Sequence, residues 1–385
     1  MVAKEEGLSQ DERILLAASF FYLASTMMVN PLIAGFTGTF GASASFVGLV
    51  GGLMGFCSLF IRPVAGNLAD LFTKRRLATA GAIVMSASTL LYGVAQNAWQ
   101  VAALRLISGA GYSFCSVCMA SWFASLLPRD RVGSGVGMFG MMNALGMAVG
   151  PAVGFQVYQA FGYRVALAFA GVLAALTAVL VQFVRNSGRS ASRSRSHGGL
   201  KALVAPSAIP AAVIVGLFTA PYMVVQSFLA TYVEELRISV RVGLFFPVYA
   251  LVLLALRYGL KRAFDTYRFR TFLIGSSVCA TAAFCLLSIM SGDIAMFAAA
   301  AFMAGGYGVM CSVCQGTAVR VVGPDETGMA NSTYYMGIDV GMALGPTLGG
   351  WLYGSLGPSL LFWPCLGFAP CALLVYACSR SLRSQ

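Results

Sequence analysis

Asp339 is the only acidic residue deep inside a long apolar stretch, in Tyr334-Tyr-Met-Gly-Ile-Asp339-Val-Gly341. A carboxylate removed from water can exchange a proton near neutral pH, which makes Asp339 a candidate for proton coupling. It could instead stay neutral and hydrogen-bond a neighbouring helix; Glu234, at the edge of a stretch, is the alternative acid. Arg105 is the second buried charge, about seven residues inside its stretch. A cation there costs at least ~2.5 kcal/mol, so it should face a cavity or a partner. It could tune a nearby acid, bind an anionic substrate group, or anchor to backbone carbonyls. Cys115/Cys118 and Cys311/Cys314 each share a helical face at i,i+3, a spacing that could hold a soft metal but equally suits small apolar packing residues. No metal or other cofactor is expected. His197 is the only histidine, so a zinc centre built on it has no second imidazole.

The elements that must position these residues are set by hydropathy. Only 10% of the 385 residues are charged and 58% are hydrophobic, against roughly 25% charged in soluble domains. Too few charges exist to build a water-facing surface. Apolar stretches fall at 13–37, 43–66, 77–96, 99–126, 133–158 and 164–184, then at 204–231, 240–259, 271–290, 293–319, 328–353 and 358–379. Each approaches the ~20 residues needed to cross a bilayer as a helix. The expected fold is an all-α membrane protein of twelve transmembrane helices in two pseudo-symmetric six-helix bundles. The bundles occupy residues 1–184 and 204–385, and a Ser/Arg/Gly-rich stretch, 185–203, forms a flexible linker.

The net charge of +12 is explained by topology rather than by nucleic acid. With the N-terminus inside, only Arg164, Arg237 and Arg241 lie on outer loops and Arg62, Arg105 and Arg257 lie within spans. The other 19 of 25 basic residues are then cytoplasmic, as the positive-inside rule requires. The expected placement is a multi-pass protein of the inner membrane with both termini cytoplasmic. No cysteine pair falls on an outer loop, so a disulfide framework is not expected. Nor do histidines or carboxylates cluster as a membrane-embedded enzyme would require, and no nucleotide-binding glycine-lysine motif is present. The chain is expected not to be an enzyme.

Sliding the chain over itself by about 195 residues aligns three features. Gly146-x3-Gly150-Pro151-x2-Gly154 meets Gly341-x3-Gly345-Pro346-x2-Gly349; Cys115-Ser-Val-Cys118 meets Cys311-Ser-Val-Cys314; Arg62 and Asp70 meet Arg257 and Asp265. Three ordered matches indicate duplication, an architecture that places a substrate site between the halves. The glycine-proline segments let helices approach and bend. Arg105 aligns with Ala301 and Asp339 with Ala144, so duplication did not preserve either buried charge.

These residues resemble the major facilitator superfamily over nearly the whole chain. Gly66-Asn-Leu68-Ala69-Asp70 through Lys74-Arg75-Arg76 is similar to its loop 2–3 signature, with Leu71 and Thr73 replacing the usual Arg and Gly. Arg105-Leu-Ile-Ser108-Gly109-Ala-Gly111 resembles the fourth-span signature of proton-coupled members. Gly146 to Gly154 resembles the antiporter signature, with Phe155 in place of a second glycine. The resemblance implies a conformational latch, in which Asp70, with Arg62, Lys74 and Arg75, ties the halves at the start of the eleventh span, and Asp265 with Arg257 mirrors it. It also implies a cavity lined by spans 1, 4, 7 and 10, with Tyr22, Asn30, Tyr112, Tyr222, Gln226, Tyr307 and Gln315 as candidates. The implied activity is secondary active transport of a small organic solute by alternating access, as proton-coupled efflux by an antiporter. A proton symporter or facilitator importing a small metabolite is the alternative. Expected partners are the solute, protons and the bilayer, with the protein a monomer.

Overall fold

The computed structural model describes residues 8–127, 132–188, 204–260, 263–322 and 327–383. The described residues form helices joined by short turns, with no strand among them. In the N-terminal part these are α1 (Gln10–Gly38), α2 (Ala44–Leu71), α3 (Lys74–Leu91), α4 (Ala98–Leu126) and α5 (Val132–Leu180). The C-terminal part has α6 (Ile209–Glu235), α7 (Phe245–Gly259), α8 (Ala263–Thr266), α9 (Phe269–Ser288), α10 (Asp293–Met303), α11 (Val309–Val322), α12 (Thr327–Leu356), α13 (Phe368–Cys378) and α14 (Arg380–Arg383).

Local chemistry sets the helix starts. Ser9 caps α1 reciprocally: its hydroxyl accepts from the Glu12 amide at 3.3 Å, and its own amide donates to the Glu12 carboxylate at 3.2 Å. Ser43 and Asn97 cap α2 and α4 by accepting from the amides of Phe46 and Gln100, each satisfying one of the amides a helix start leaves orphaned.

Among the described residues, ten segments are long and apolar enough to cross a membrane, against the twelve expected. Two causes account for the difference. α5 runs through Gly162, whose φ of 80° turns the chain without ending the helical run, so two expected spans read as one. α12 is 30 residues long, but Asn331, Ser332, Thr333 and Asp339 dilute its hydropathy.

The tenth expected span is interrupted. α10 passes into α11 through a π turn at Ala304–Gly308 (Ala-Gly-Gly-Tyr-Gly). Such a turn re-aims the side chains that follow it and often marks a functional site. The linker also departs from expectation at its start. Asp11 accepts from the amides of Arg185 and Asn186, both at 2.9 Å, and the Trp122 indole donates to the Asn186 carbonyl at 2.9 Å. Residues 185–188 are thus fixed against the helix bundle; 189–203, with His197, lie outside the described residues.

The repeat is visible in packing. α5 lies on α1, and α12 lies on α6. Gly150 faces the Ala24 carbonyl and the Met27 side chain; Gly345 faces the Ala220 carbonyl and the Met223 side chain. Gly146 and Gly154 continue the first contact onto Ala24 and Met28, while Gly341 and Gly349 continue the second onto Thr219 and Phe228. A methyl group at these glycines would strike backbone, or at Gly349 the Phe228 ring, so overpacking would cost about 1–3 kcal/mol at each.

α12 has a second partner. Its other face packs on α2, across the two halves of the chain. Gly48 meets Gly350 and Pro346, Gly52 meets Ala343 and Thr347, and Gly55 meets Ala343 and the backbone of Asp339. α1 packs on α6, and α5 reaches α7 and the short turn before it, where the Gln156 side-chain amide donates to the Gly243 carbonyl at 3.0 Å. The halves therefore meet along small-residue surfaces that let backbones come close without a hydrophobic driving force.

Candidate functional site

α2 carries Ser58 and Arg62 one turn apart, and α12 carries Tyr335 and Asp339 one turn apart. The close α2–α12 approach brings all four together. Arg62 holds Asp339 through both carboxylate oxygens: Nε to Oδ2 at 2.6 Å and Nη2 to Oδ1 at 2.9 Å. The Ser58 hydroxyl donates to Oδ2 at 3.1 Å. Arg62 Nη1 donates to Ser116 Oγ of α4 at 3.2 Å, and its guanidinium carbon lies 5.4 Å from the centre of the Tyr335 ring. Tyr335 in turn accepts from Asn143 of α5 at 3.3 Å.

Arg62 is 4% exposed and Asp339 is 0% exposed. This is a two-point ion pair sealed from water, linking sequence positions 277 residues apart. In such a place neither partner can be removed cheaply, because the survivor would be an uncompensated buried charge. The arrangement corrects the expected grouping of Arg62 with Asp70. Eight residues, or about 12 Å of helix rise, separate them, and the Arg62 side chain is committed to Asp339.

Of the other latch candidates, the Lys74 ammonium donates to the Ser121 carbonyl at 3.1 Å. Arg75 donates to the carbonyls of Val184 and of Arg185. These three bonds tie α3 to α4 and to the linker start. Arg257 lies half-buried in the last turn of α7, and its Nε has no hydrogen-bond partner. The side chains of Asp70 and Asp265 lie outside the described residues.

Arg105 occupies a separate place. It is 2% exposed on α4, and its Nη2 donates to Asn30 Oδ1 at 2.5 Å and toward the Gly51 carbonyl at 3.4 Å. Its Nε has no hydrogen-bond partner. Asn30, Gly51, Met223, Ser227, Met342 and Pro346 close around it and leave no space for a water-sized molecule. Those residues come from α1, α2, α6 and α12, so Arg105 lies where the halves meet.

The remaining cavity candidates sort into three groups. Tyr22 and Tyr112 lie 6.2 Å apart, with Tyr112 beside the Arg62–Asp339 pair. Tyr222 stacks on Tyr307 at 4.2 Å and on Tyr249 at 5.3 Å, and its hydroxyl accepts from Gln226 at 3.2 Å. The π turn presents Tyr307 to this stack, and both the Tyr307 hydroxyl and Gln226 Oε1 lack partners. Gln315 instead donates to Asn331 at 3.2 Å, away from that stack. Ser58, Tyr335 and Asn143 complete the ion-pair site but were not among the expected residues. Their sequence signal was the i−4 position of Ser58 to Arg62 and of Tyr335 to Asp339.

All ten cysteines are free thiols, and among the described residues no group of three metal-binding side chains assembles. Cys115 instead donates to the Ala78 carbonyl at 3.6 Å, a helix-packing role.

The sequence profile of the Major Facilitator Superfamily matches residues 15–292 and 261–383. An uncharacterized MFS-type transporter of Methanocaldococcus jannaschii is 20% identical over 359 residues, 91% of this chain and 93% of that protein. Multidrug resistance protein 1 of Bacillus subtilis is 21% identical over 354 residues, 88% of this chain and 89% of that protein. Among solved structures, a bacterial homologue of the human lysosomal transporter Spinster, crystallised inward-facing and unoccupied, superposes with a TM-score of 0.75 at 14% identity. It covers 98% of this chain and 99% of the other. The matched profile, the full-length relatives and the shared fold agree on transport rather than catalysis, and this chain belongs to the Major Facilitator Superfamily of multi-pass membrane transporters.

Proposed function

We propose that this chain is a proton-coupled exporter of small organic solutes, working by alternating access between two six-helix halves with twelve spans in all. The observation that carries the reading is the Arg62–Asp339 ion pair, which joins α2 of one half to α12 of the other in a site closed to water. Ionised, the pair clamps the halves where α2 and α12 meet. Solute bound from the cytoplasm pulls α2 from α12 against this clamp, and a proton on Asp339 then lets the emptied carrier close again before the pair re-forms. By the positive-inside pattern the Ala44 end of α2 is the outer end, so this conformation is closed to the outside. A solute then enters from the cytoplasm while Asp339 is ionised. A proton arriving from outside loads the carboxylate in the alternate state, the solute leaves, and the protonated carrier returns and releases its proton inside.

Efflux is favoured by the likeness to a full-length multidrug resistance protein and by the antiporter-type glycine-proline segments packed at α5 on α1. In this reading the protein is a monomer of the inner membrane with cytoplasmic termini. Asp70 and Asp265 supply latch contacts at the cytoplasmic surface, and the solute occupies the space bordered by Tyr22, Tyr112, Tyr222, Gln226 and Tyr307. The test is solute flux in proteoliposomes under an imposed pH gradient, comparing wild type with Asp339→Asn. Wild-type flux should follow the gradient and the variant should not. A variant that keeps its full response to pH would remove Asp339 from the coupling step.

A further inference from the structure

The chain leaves its N-terminal half through an irregular segment, residues 184–188, in which every backbone carbonyl accepts a hydrogen bond from another element. The Arg75 side chain donates to the carbonyls of Val184 and Arg185, and the Trp122 indole donates to that of Asn186 at 2.9 Å. The amides of Arg75 and Lys74 donate to the carbonyls of Ser187 and Gly188, both at 3.3 Å. On the donor side, the Asp11 carboxylate takes the amides of Arg185 and Asn186, and Asn186 Oδ1 takes the Gly188 amide at 3.0 Å. Irregular backbone has no ladder of its own to satisfy these groups, so α1, α3 and α4 together dictate its path. Gly188 is required there twice. Its φ of 61° lies in the left-handed region, and a Cβ on it would stand 2.7 Å from the Trp122 ring and 3.0 Å from Lys74 Cβ.

This segment completes the start of α3. Thr73 stands at the N-cap without a side-chain bond to the first turn, so the carbonyls of Ser187 and Gly188 supply acceptors that the first two amides would otherwise lack. Only Phe72 and Thr73 separate α3 from α2, and Arg62 lies on α2 about 15 Å of helix rise before Phe72. We propose that residues 184–188 are a strap that fixes the α2–α3 turn and so gives α2 the pivot on which its contact with α12 opens and closes. The proposal rests on the transporter reading, in which this turn is at the cytoplasmic surface, and adds a control point away from the interface. Lys74 and Arg75 are positioning residues: they hold the strap, and through it the foot of the helix that carries Arg62. With the foot held, α2 leaves α12 by tilting about the turn. With the strap undone, the foot slides, and nothing below Arg62 keeps Gly48, Gly52 and Gly55 in register against α12.

The test uses the full-length protein in detergent. Hydrogen exchange reads the strap, and spin labels on the Ala44 and Gly354 ends of α2 and α12 read the contact. Asp11→Ala removes the acceptor of two strap amides, and Gly188→Val drives a side chain into Trp122. In both, peptides covering 72–77 and 184–188 should exchange at least about tenfold faster, as the loss of a hydrogen bond to a charged group implies. The middle of α3 should keep its protection, and the label distances should broaden toward longer values. Asp11→Asn keeps one acceptor oxygen and should fall between wild type and Asp11→Ala. Should Gly188→Val not fold, Asn186→Ala, which deletes only the acceptor of the Gly188 amide, takes its place with the same expectation. Unchanged exchange in these variants would show that the segment is not held as a strap. Faster exchange with an unchanged distance distribution would show that the strap does not set the pivot of α2, and either result overturns the proposal. Both readouts are taken without solute, so a wild-type protein that moves no solute under any gradient would end the transporter reading by itself and leave the strap to be judged on exchange and distance.

Discussion

Removing one partner of the Arg62–Asp339 pair has a calculable consequence. In Asp339→Asn one of the two acceptor oxygens becomes an NH2 donor that faces an Arg62 N–H, and the guanidinium, 4% exposed, loses its counterion. Stranding one member of a buried pair costs about 3–5 kcal/mol. For a 385-residue chain, an unfolding entropy of about 2 cal/mol/K per residue converts this into a fall in apparent Tm of roughly 4–6 °C. Arg62→Gln should cost a similar amount, since it strands Asp339 with only Ser58 as donor. The double variant Arg62→Gln/Asp339→Asn removes both charges at nearly constant volume, and its two amides can pair. It should recover most of the loss, so the coupling energy should be at least as large as one single loss, about 3–5 kcal/mol or more. The assay is fluorescence-monitored unfolding of the four proteins in one detergent at one scan rate, because membrane-protein unfolding is a kinetic quantity. If the two single losses add in the double variant, the side chains do not act as a pair and the clamp argument fails.

Gly52→Val puts a side chain against the Ala343 carbonyl and within 2.6 Å of Thr347 Oγ1. It should cost about 1–3 kcal/mol in the closed α2–α12 contact and shift the population toward the alternate state, read as a longer distance between spin labels on the Ala44 and Gly354 ends. An unchanged distance distribution would show that this contact does not set the population. Tyr335→Phe removes the bond from Asn143 but keeps the ring over Arg62, so stability should fall by only about 0.5–1.5 kcal/mol; Tyr335→Ala should cost clearly more. A chelator should leave Tm and flux unchanged, because the sulfur of Cys115 bonds to the Ala78 carbonyl; a loss on chelation would revive a metal role for the repeated cysteine pairs.

Helix number and placement were nearly legible, since the bilayer imposes a length of apolar chain that composition cannot hide. Gly162 and the polar residues of α12 blur the count, because a turn through one positive φ and a span buried on two faces both weaken a hydropathy signal. The glycine-proline repeat foretold its partner surfaces well: Gly150 on Ala24 and Gly345 on Ala220 occupy matching places. Asp339 and Arg105 were singled out correctly as buried charges, but not their company. Nothing local in the sequence joins Arg62 to Asp339; that pair exists because Gly48, Gly52 and Gly55 let α2 lie against α12. The family signature, reading Arg62 alongside Asp70, pointed to the surface instead. Likewise the Tyr222–Tyr307 stack depends on a π turn, which the Gly305-Gly306 doublet permits but does not announce.

α12 is flanked closely on both sides. Gly337, Gly341, Gly345 and Gly349 are committed to α6, and Ala343, Pro346, Thr347 and Gly350 to α2. That ties most positions between Gly337 and Gly350 to a neighbouring helix, and leaves the outward-facing Val340, Leu344 and Leu348 free to drift. New specificities would then have to arise on α4, α6 and the helices around the π turn, while the inward faces of α12 keep their sequence across diverging descendants. An evolutionary experiment selecting for a different solute should accumulate changes around Arg105 and Tyr307 and leave the inward faces of α12 nearly untouched.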